Sequence, residues 1–459
     1  MASSFEGILA FAFLACMLLA GTVLRANVAI LRNALVPASL IGGVLGFILL
    51  ALGLAYGYES SDFQSFTFHF FTLSFMSLVM ARGENTSVSA VARGGSWLSL
   101  VWVMSLVLQA LIGLAVILGY NLMADNQLSE YLGLLVTHGF TQGPGQALAL
   151  GGIWENEMDI THAVNFGLIY ASVGFIAAFS IGVPVARWAV RNGLNANKNA
   201  QINNEFVTGL LAPDNRLSAG QQVTHPANVD SLAFHLAILA FAYILTDAYI
   251  NLMGSWVSGI DLGAINLTII FSHNLFFFHG LMVCVALRAL MNRFGLGHFI
   301  DDDTQRRITG SAVDFMVVAT IMSIEFALLS QFLVPIVAVC LAVSAGTALL
   351  CYFFGRRLSE FGVERALTAF GCCCGSTGSG VLLLRMLDPD LRTPIARELA
   401  FFNIAIMFFG FHVLTLMSPV LPGIDLSVVV AVYMLTFVVG GAGVLWLSRP
   451  NLQQNRSTS

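Results

Sequence analysis

The chain has 459 residues, 57% of them hydrophobic and only 10% charged, with a formal net charge of -5 and a mean hydropathy of +0.83. A soluble globular chain carries about 25% charged residues. This composition therefore excludes a cytosolic enzyme, a secreted disulfide scaffold and a disordered protein, and the lack of a basic stripe excludes a nucleic-acid binder.

Apolar stretches of about 20 residues recur along the chain, which marks an all-α polytopic membrane protein. Glu6 is the only charge before the apolar run from Gly7 to Leu24, so the N-terminus reads as a first spanning helix and not as a signal peptide. Further spans are predicted near 36–57, 64–81, 97–120 and 163–190, and, past a polar stretch, near 233–256, 263–287, 311–329, 332–354, 398–419 and 426–447. Two more segments, about 131–154 and 366–387, are apolar but broken by Gly143-Pro144-Gly145 and by glycines from Gly371 to Gly380. A continuous helix through either would lose too much propensity, and both read as re-entrant hairpins that return to the side they left.

With the N-terminus outside and each hairpin returning, every Lys and Arg falls on the cytoplasmic side, from Arg25 and Arg32 to Arg449 and Arg456. The outside loops keep only acids, among them Glu59, Asp62, Asp125, Glu155 and Asp261. This is the positive-inside pattern, and it puts the C-terminus inside as well. Each half then holds five spans and one hairpin, so the second half runs in the opposite sense to the first. Element starts correspond as 7 with 233, 36 with 263, 97 with 332 and 163 with 398, the signature of an inverted repeat. The expected organisation is a first half over 1–191, a cytoplasmic linker over 192–230, a second half over 231–424, and an extra helix with a cytoplasmic tail over 425–459. The extra helix reads as an appendage.

Irregular backbone inside a membrane is tolerated where protein or a water-filled cavity solvates it. Free carbonyls there suit a hard cation, and helix N-termini suit an anion. The first tip offers Thr141, Gln142, Gly143, Gly145 and Gln146, and the second offers Gly375, Ser376, Thr377, Gly378, Ser379 and Gly380. Glycines also serve close helix packing, but two clusters at matching places in inverted halves favour a binding role for substrate and sodium. Among charges in the spans, Glu325 is either functional or a snorkelling residue near the outer interface. Arg385 either faces a substrate carboxylate or, as expected here, pairs with Asp388 or Asp390. His273 and His279 stand six apart, not at the i, i+4 spacing of a helical metal pair, and Cys372-Cys373-Cys374 lacks the spacing of a zinc or redox site. No metal other than sodium and no cofactor is expected.

The chain resembles the bacterial sodium/glutamate symporters. The likeness rests on Val36-Pro37-Ala38-Ser39-Leu40-Ile41-Gly42-Gly43, on Ala92-Arg93-Gly94-Gly95, on the first glycine tip followed by Gly182-Val183-Pro184-Val185-Ala186-Arg187, and on the second tip from Cys374-Gly375 to Gly380. It extends to about Pro419. It implies an inverted-repeat protein of the bacterial inner membrane that couples inward sodium movement to uptake of L-glutamate, with sodium as coupling ion. The related 2-hydroxycarboxylate transporters are dimeric and move a core against a scaffold, which leaves a homodimer open. Two departures stand out. Gln142-Gly143-Pro144-Gly145 replaces the family's usual glycine–histidine run at the first tip, and Cys372 or Cys373 stands near the histidine expected at the second.

The reading is a sodium-coupled symporter for an acidic amino acid, with a di- or tricarboxylate carrier using Arg385 as the alternative. A membrane-embedded enzyme lacks support, since no H-E-x-x-H, G-x-S-x-G or intramembrane aspartate pair occurs. A passive channel would show flux without coupling.

Overall fold

The computed structural model describes residues 2–81, 88–124, 127–198, 204–215, 218, 220–260, 267–389, 391, 393–409 and 424–449. Every regular element among them is helical. The first half comprises α1 (Ala2–Asn27), α2 (Ala38–Ala51), α3 (Gln64–Met80), α4 (Val88–Asn121), α5 (Tyr131–Phe140), α6 (Pro144–Glu157) and α7 (Ala163–Arg191). The second comprises α8 (Ser231–Val257), α9 (Phe276–Arg293), α10 (Asp302–Met322), α11 (Leu333–Gly355), α12 (Gly362–Cys374), α13 (Thr377–Leu387) and α14 (Ile395–Phe409), and α15 (Leu426–Leu447) follows.

Among the described residues, eight helices are long and apolar enough to cross a membrane; eleven spans are expected from the sequence. The other three differ for identifiable reasons. In place of a span over 36–57, α2 has 14 residues, about 21 Å at 1.5 Å per residue, short of the roughly 30 Å hydrocarbon layer. In place of a span over 311–329, α10 begins at Asp302, where the Asp301 carboxylate accepts from the Thr304 backbone N–H at 2.9 Å, and it stops at Met322. Its first turns carry Asp302, Asp303, Arg306 and Arg307, so hydropathy alone recognises only its second half. The span at 398–419 begins earlier, at Ile395, and lies beyond Phe409 outside the described residues. The predicted span at 263–287 is interrupted as well, with a short turn at His273–Leu275 ahead of α9.

Buried side chains gather in three clusters. The largest draws on Trp97 and Val107 of α4, Leu135, Ile153, Phe175, Val343, Cys373, Leu384 and Phe402. It is thus built mainly from the long helices α4, α7 and α11 with the four arms α5, α6, α12 and α13. Two smaller clusters flank it. One joins Leu14 and Met17 of α1 to Met322 of α10, and the other joins Met76 and Met80 of α3 to Leu239 of α8, Cys284 of α9 and Ile308 of α10. Outward faces of α8 and α15 expose Ile244, Leu252, Leu435 and Val438, as expected where lipid is the solvent.

The extra helix is no appendage. Val429, Tyr433 and Val444 of α15 belong to the main cluster, and a Cβ added at Gly440 would sit 2.7 Å from Met104 Cγ, so the missing side chain is what lets α15 lie against α4. Arg93 Nε donates to Leu447 O at 2.9 Å and Trp97 Nε1 to Ser448 Oγ at 3.2 Å. The arginine thereby satisfies a carbonyl that the end of a helix leaves unpaired.

Candidate functional site

α7 positions both broken segments. Its 29 residues measure about 43 Å. At its first turn, Val164 N donates to Glu155 Oε1 at 2.9 Å, so the far end of α6 sits beside the start of α7. Past its last turn, Asn195 Nδ2 donates to Leu387 O at 3.2 Å and Ala196 N to Glu364 Oε1 at 2.5 Å, so the outer ends of α12 and α13 sit beside its finish. The two hairpins therefore approach from opposite ends of α7. Near its middle stands Gly174, where an added Cβ would fall on Cys374 O and lie 3.2 Å from Phe140 Cα. Glycine at 174 lets both turning points cross one helix.

The first tip runs Thr141-Gln142-Gly143 into Pro144, the first residue of α6. Gly143 has φ +89°, a conformation open to glycine at little cost, and proline at the first helical position loses only an N–H that the helix cannot use. Thr141, Gln142, Gly143 and Gly145 are buried, and Gln146 is half-buried. His138, fully buried, meets Gln142 Oε1 through Nδ1. His138 Nε2, Gln142 Nε2, Gln146 Oε1 and Thr137 Oγ1 are buried without a protein partner. Gly145 does a packing job: an added Cβ would land on the Phe71 ring of α3.

The second tip is Gly375-Ser376 between α12 and α13. Ser376 caps α13 by accepting from Ser379 N at 3.4 Å, one of the donors that a helix start leaves unpaired. Thr377 Oγ1 donates to Asn403 Oδ1 of α14 at 3.0 Å. Ser379 and Gly380 are buried, and a Cβ at Gly380 would sit 2.5 Å from Cys372 Sγ. Gly378 differs. It is exposed, and an added Cβ would meet only Ser376 Oγ at 3.3 Å.

The first tip touches the last turn of α12, which leads into the second. Thr141 Oγ1 lies 2.8 Å from Cys373 O and 2.7 Å from Gln109 Oε1. Gln109 of α4 in turn directs Nε2 at Cys373 O (2.9 Å), Thr347 Oγ1 of α11 (3.0 Å) and Ser105 Oγ (3.1 Å). Gln109, Ser105 and Thr347 are wholly buried. Sequence reasoning missed all three, together with His138 and Asn403. A lone Gln in an apolar span is the only signal the chain offers for the first, and its partners lie up to 264 residues away.

The charged candidates lie elsewhere. Arg385 is exposed on α13. The carboxylate expected to pair with it, Asp388, is fully buried and accepts from Asn197 Nδ2 at 3.2 Å and Thr393 N at 2.7 Å; Asp390 is outside the described residues. Glu325, half-buried in the break after α10, accepts from Asn165 Nδ2 at the start of α7 at 3.2 Å. His273 pairs with Asp247 at 2.9 Å, while His279 Nε2 bonds Ile270 O at 2.7 Å. Among the described residues no group of three His, Cys, Asp or Glu side chains is placed to hold a metal.

Residues 4–381 match the sodium/glutamate symporter family. No curated protein matches the chain. The matched stretch takes in both tips and α1 to α12 but for the first two residues of α1. The chain belongs to the sodium/glutamate symporter family, and membership implies sodium/glutamate symport, with sodium as coupling ion, by a multi-pass membrane transporter and not an enzyme.

Proposed function

We propose that this member of the family takes up L-glutamate with sodium across a bacterial inner membrane, and that both are held where the two tips meet. The observation that carries the proposal is the contact of Thr141 with Cys373 O and Gln109 near the middle of α7. On this reading α5–α6 and α12–α13 are re-entrant hairpins that enter from opposite faces of the membrane. Two helix starts, those of α6 and α13, then converge on one region, each bringing a partial positive charge of about half a unit. That suits a carboxylate without a fixed counter-charge.

The unpaired Gln142 Nε2 and Gln146 Oε1 supply a donor and an acceptor, which is the pair needed by a molecule with both a carboxylate and an ammonium group. Sodium is served by neutral hard oxygens, from the hydroxyls of Thr141, Ser376, Thr377 and Ser379 and from carbonyls at the tips. A sodium ion entering with a glutamate anion also leaves the loaded site with no net added charge, which lowers the cost of carrying both through a low-dielectric layer.

The inverted-repeat reading has support in the packing. α2 lies on α10 as α9 lies on α3, and α4 lies on α14 as α11 lies on α7. Each pair is the other with its halves exchanged. The hairpin cluster would then move as a core against the scaffold formed by α1–α3 and α8–α10, with the N-terminus outside and the C-terminus and linker inside. A di- or tricarboxylate carrier would call on Arg385, and its exposed place on α13 gives that reading no support. The test is uptake of labelled glutamate, citrate and malate into proteoliposomes with and without an inward sodium gradient. Glutamate uptake that follows the gradient is expected; gradient-driven citrate or malate uptake without glutamate uptake would overturn the substrate.

A further inference from the structure

Gln109 carries no charge and belongs to neither hairpin, yet it bonds both the first tip and the end of α12 that leads into the second. Its amide is a rigid plane with two N–H donors and one carbonyl oxygen. Three acceptors lie within 3.1 Å of Nε2, while Oε1 lies 2.7 Å from the Thr141 hydroxyl. Cys373 O, in the last turn of α12 just before the second tip, accepts from Nε2 and competes with Gln109 Oε1 for the single Thr141 hydroxyl proton, so Gln109, Thr141 and Cys373 form a ring with one member from α4, one from the first tip and one from the edge of the second. Thr347 ties that ring to α11. Gln109 and Thr347 are separated by 238 residues and Thr141 and Cys373 by 232. Those separations place the ring where corresponding parts of the two halves face each other.

We propose that Gln109 is a positioning residue that couples the two tips, so that what binds at one alters affinity at the other. The proposal rests on the reading of the tips as the sodium and glutamate sites, and deepens it by assigning how the sites communicate. A ligand that draws the first tip toward itself moves Thr141, and the rigid amide must turn with it or give up that bond. Turning the amide withdraws a donor from Cys373 O, among side chains that are wholly buried. The second tip therefore senses the first through a group whose hydrogen bonds are costly to leave unmade. An amide that only packed the hairpins together would contribute equally whether the sites were empty, half-filled or full. A coupling amide contributes differently in those states, and linkage makes the effect reciprocal.

The experiment uses the purified full-length chain in lipid nanodiscs. Glutamate affinity is measured by calorimetry in saturating sodium and in choline, and sodium affinity with and without glutamate, for wild type, Gln109→Met and Gln109→Asn. Methionine keeps the length without hydrogen-bonding strength. Asparagine keeps the amide but is one methylene too short to reach both tips, and it serves if the methionine variant does not fold. Wild type is expected to show a reciprocal coupling factor in the range usual for linked sites, about 5–150-fold. In the variants it should fall to within about twofold of unity while each ligand alone still binds. A wild-type coupling factor retained in either folded variant overturns the role of Gln109 and leaves the transport reading standing. A wild type that binds glutamate and sodium independently, or binds neither, overturns both.

Discussion

Arg365 of α12 and Glu398 of α14 meet fork to fork, with Nε 2.8 Å from one carboxylate oxygen and Nη2 2.6 Å from the other. Their side chains are only 14% and 3% exposed. Arg365 Nη1 also donates to Glu360 O at 3.0 Å, and the carboxylate fills the space in which a side chain on Gly94 of α4 would have to stand. The second hairpin is thus fastened at its base to α14 and α4 by one planar ion pair, which the bidentate geometry of arginine makes directional.

Arg365→Met is expected to leave Glu398 buried without its partner, at a cost of about 3–5 kcal/mol. The double variant Arg365→Met with Glu398→Leu removes both desolvated charges and should recover most of that loss. Thermal midpoints of the purified variants decide the matter, and a single variant melting with wild type would show that the pair does not hold the hairpin.

Gly378→Val separates binding from packing at the second tip. The position is open, so the variant should insert and melt like wild type while sodium-driven glutamate uptake falls at least tenfold, because the new side chain occupies the approach to the helix start. Gly145→Ala is the contrasting case. Its methyl group meets the Phe71 ring, and overpacking of this kind costs about 1–3 kcal/mol, so lost stability is its expected result. Undiminished uptake by Gly378→Val would remove the second tip from the substrate path.

Arg385→Gln tests the carboxylate-carrier reading. Arg385 is exposed, so glutamate affinity and the pattern of inhibition by mono- and dicarboxylates should stay as in wild type. Loss of a charge-assisted bond to a bound carboxylate would instead cost about 1.5–3 kcal/mol, a roughly tenfold to hundredfold fall in affinity for dicarboxylates. Competition against labelled-glutamate uptake distinguishes the two.

Single cysteines at Leu122 and Asn204, in a chain otherwise free of cysteine, test orientation. Leu122 is 88% exposed just past α4, and Asn204 lies in the stretch expected to form the linker, near Phe206, whose carbonyl accepts from Arg25 at 3.1 Å. An impermeant thiol reagent applied to intact cells should label Leu122→Cys and spare Asn204→Cys. The reverse pattern would invert the membrane orientation.

Hydropathy made the long helices legible, because in lipid each must be apolar over its own length. The tips were legible for a different reason: Gly143 before Pro144, and Gly375 within a dense run of glycines, weaken a continuous helix at those places. What stayed hidden depends on distant parts of the chain. Glu398 reads as an ordinary charge near a helix start until Arg365 arrives from 33 residues upstream, and Gln109 reads as a blemish in an apolar span. The start of α10 escaped because a capped, charged first turn has no hydropathy signal. The role of α15 escaped because a Gly-rich apolar helix looks the same whether it faces only lipid or fits against Met104.

The clasp between Arg93 and the end of α15 has a consequence for how the protein is made. α4 emerges from the ribosome more than 300 residues before Leu447, the carbonyl that Arg93 holds. Until α15 is synthesised, Arg93 and the Trp97 N–H lack these acceptors, and Leu100 and Met104 lack the glycine face that packs on them. The core therefore closes on this side only once α15 has been made and docked. This seam joins a helix made late to one made early, and a chain that stops short of residue 426 would have its hairpins present and the seam still open.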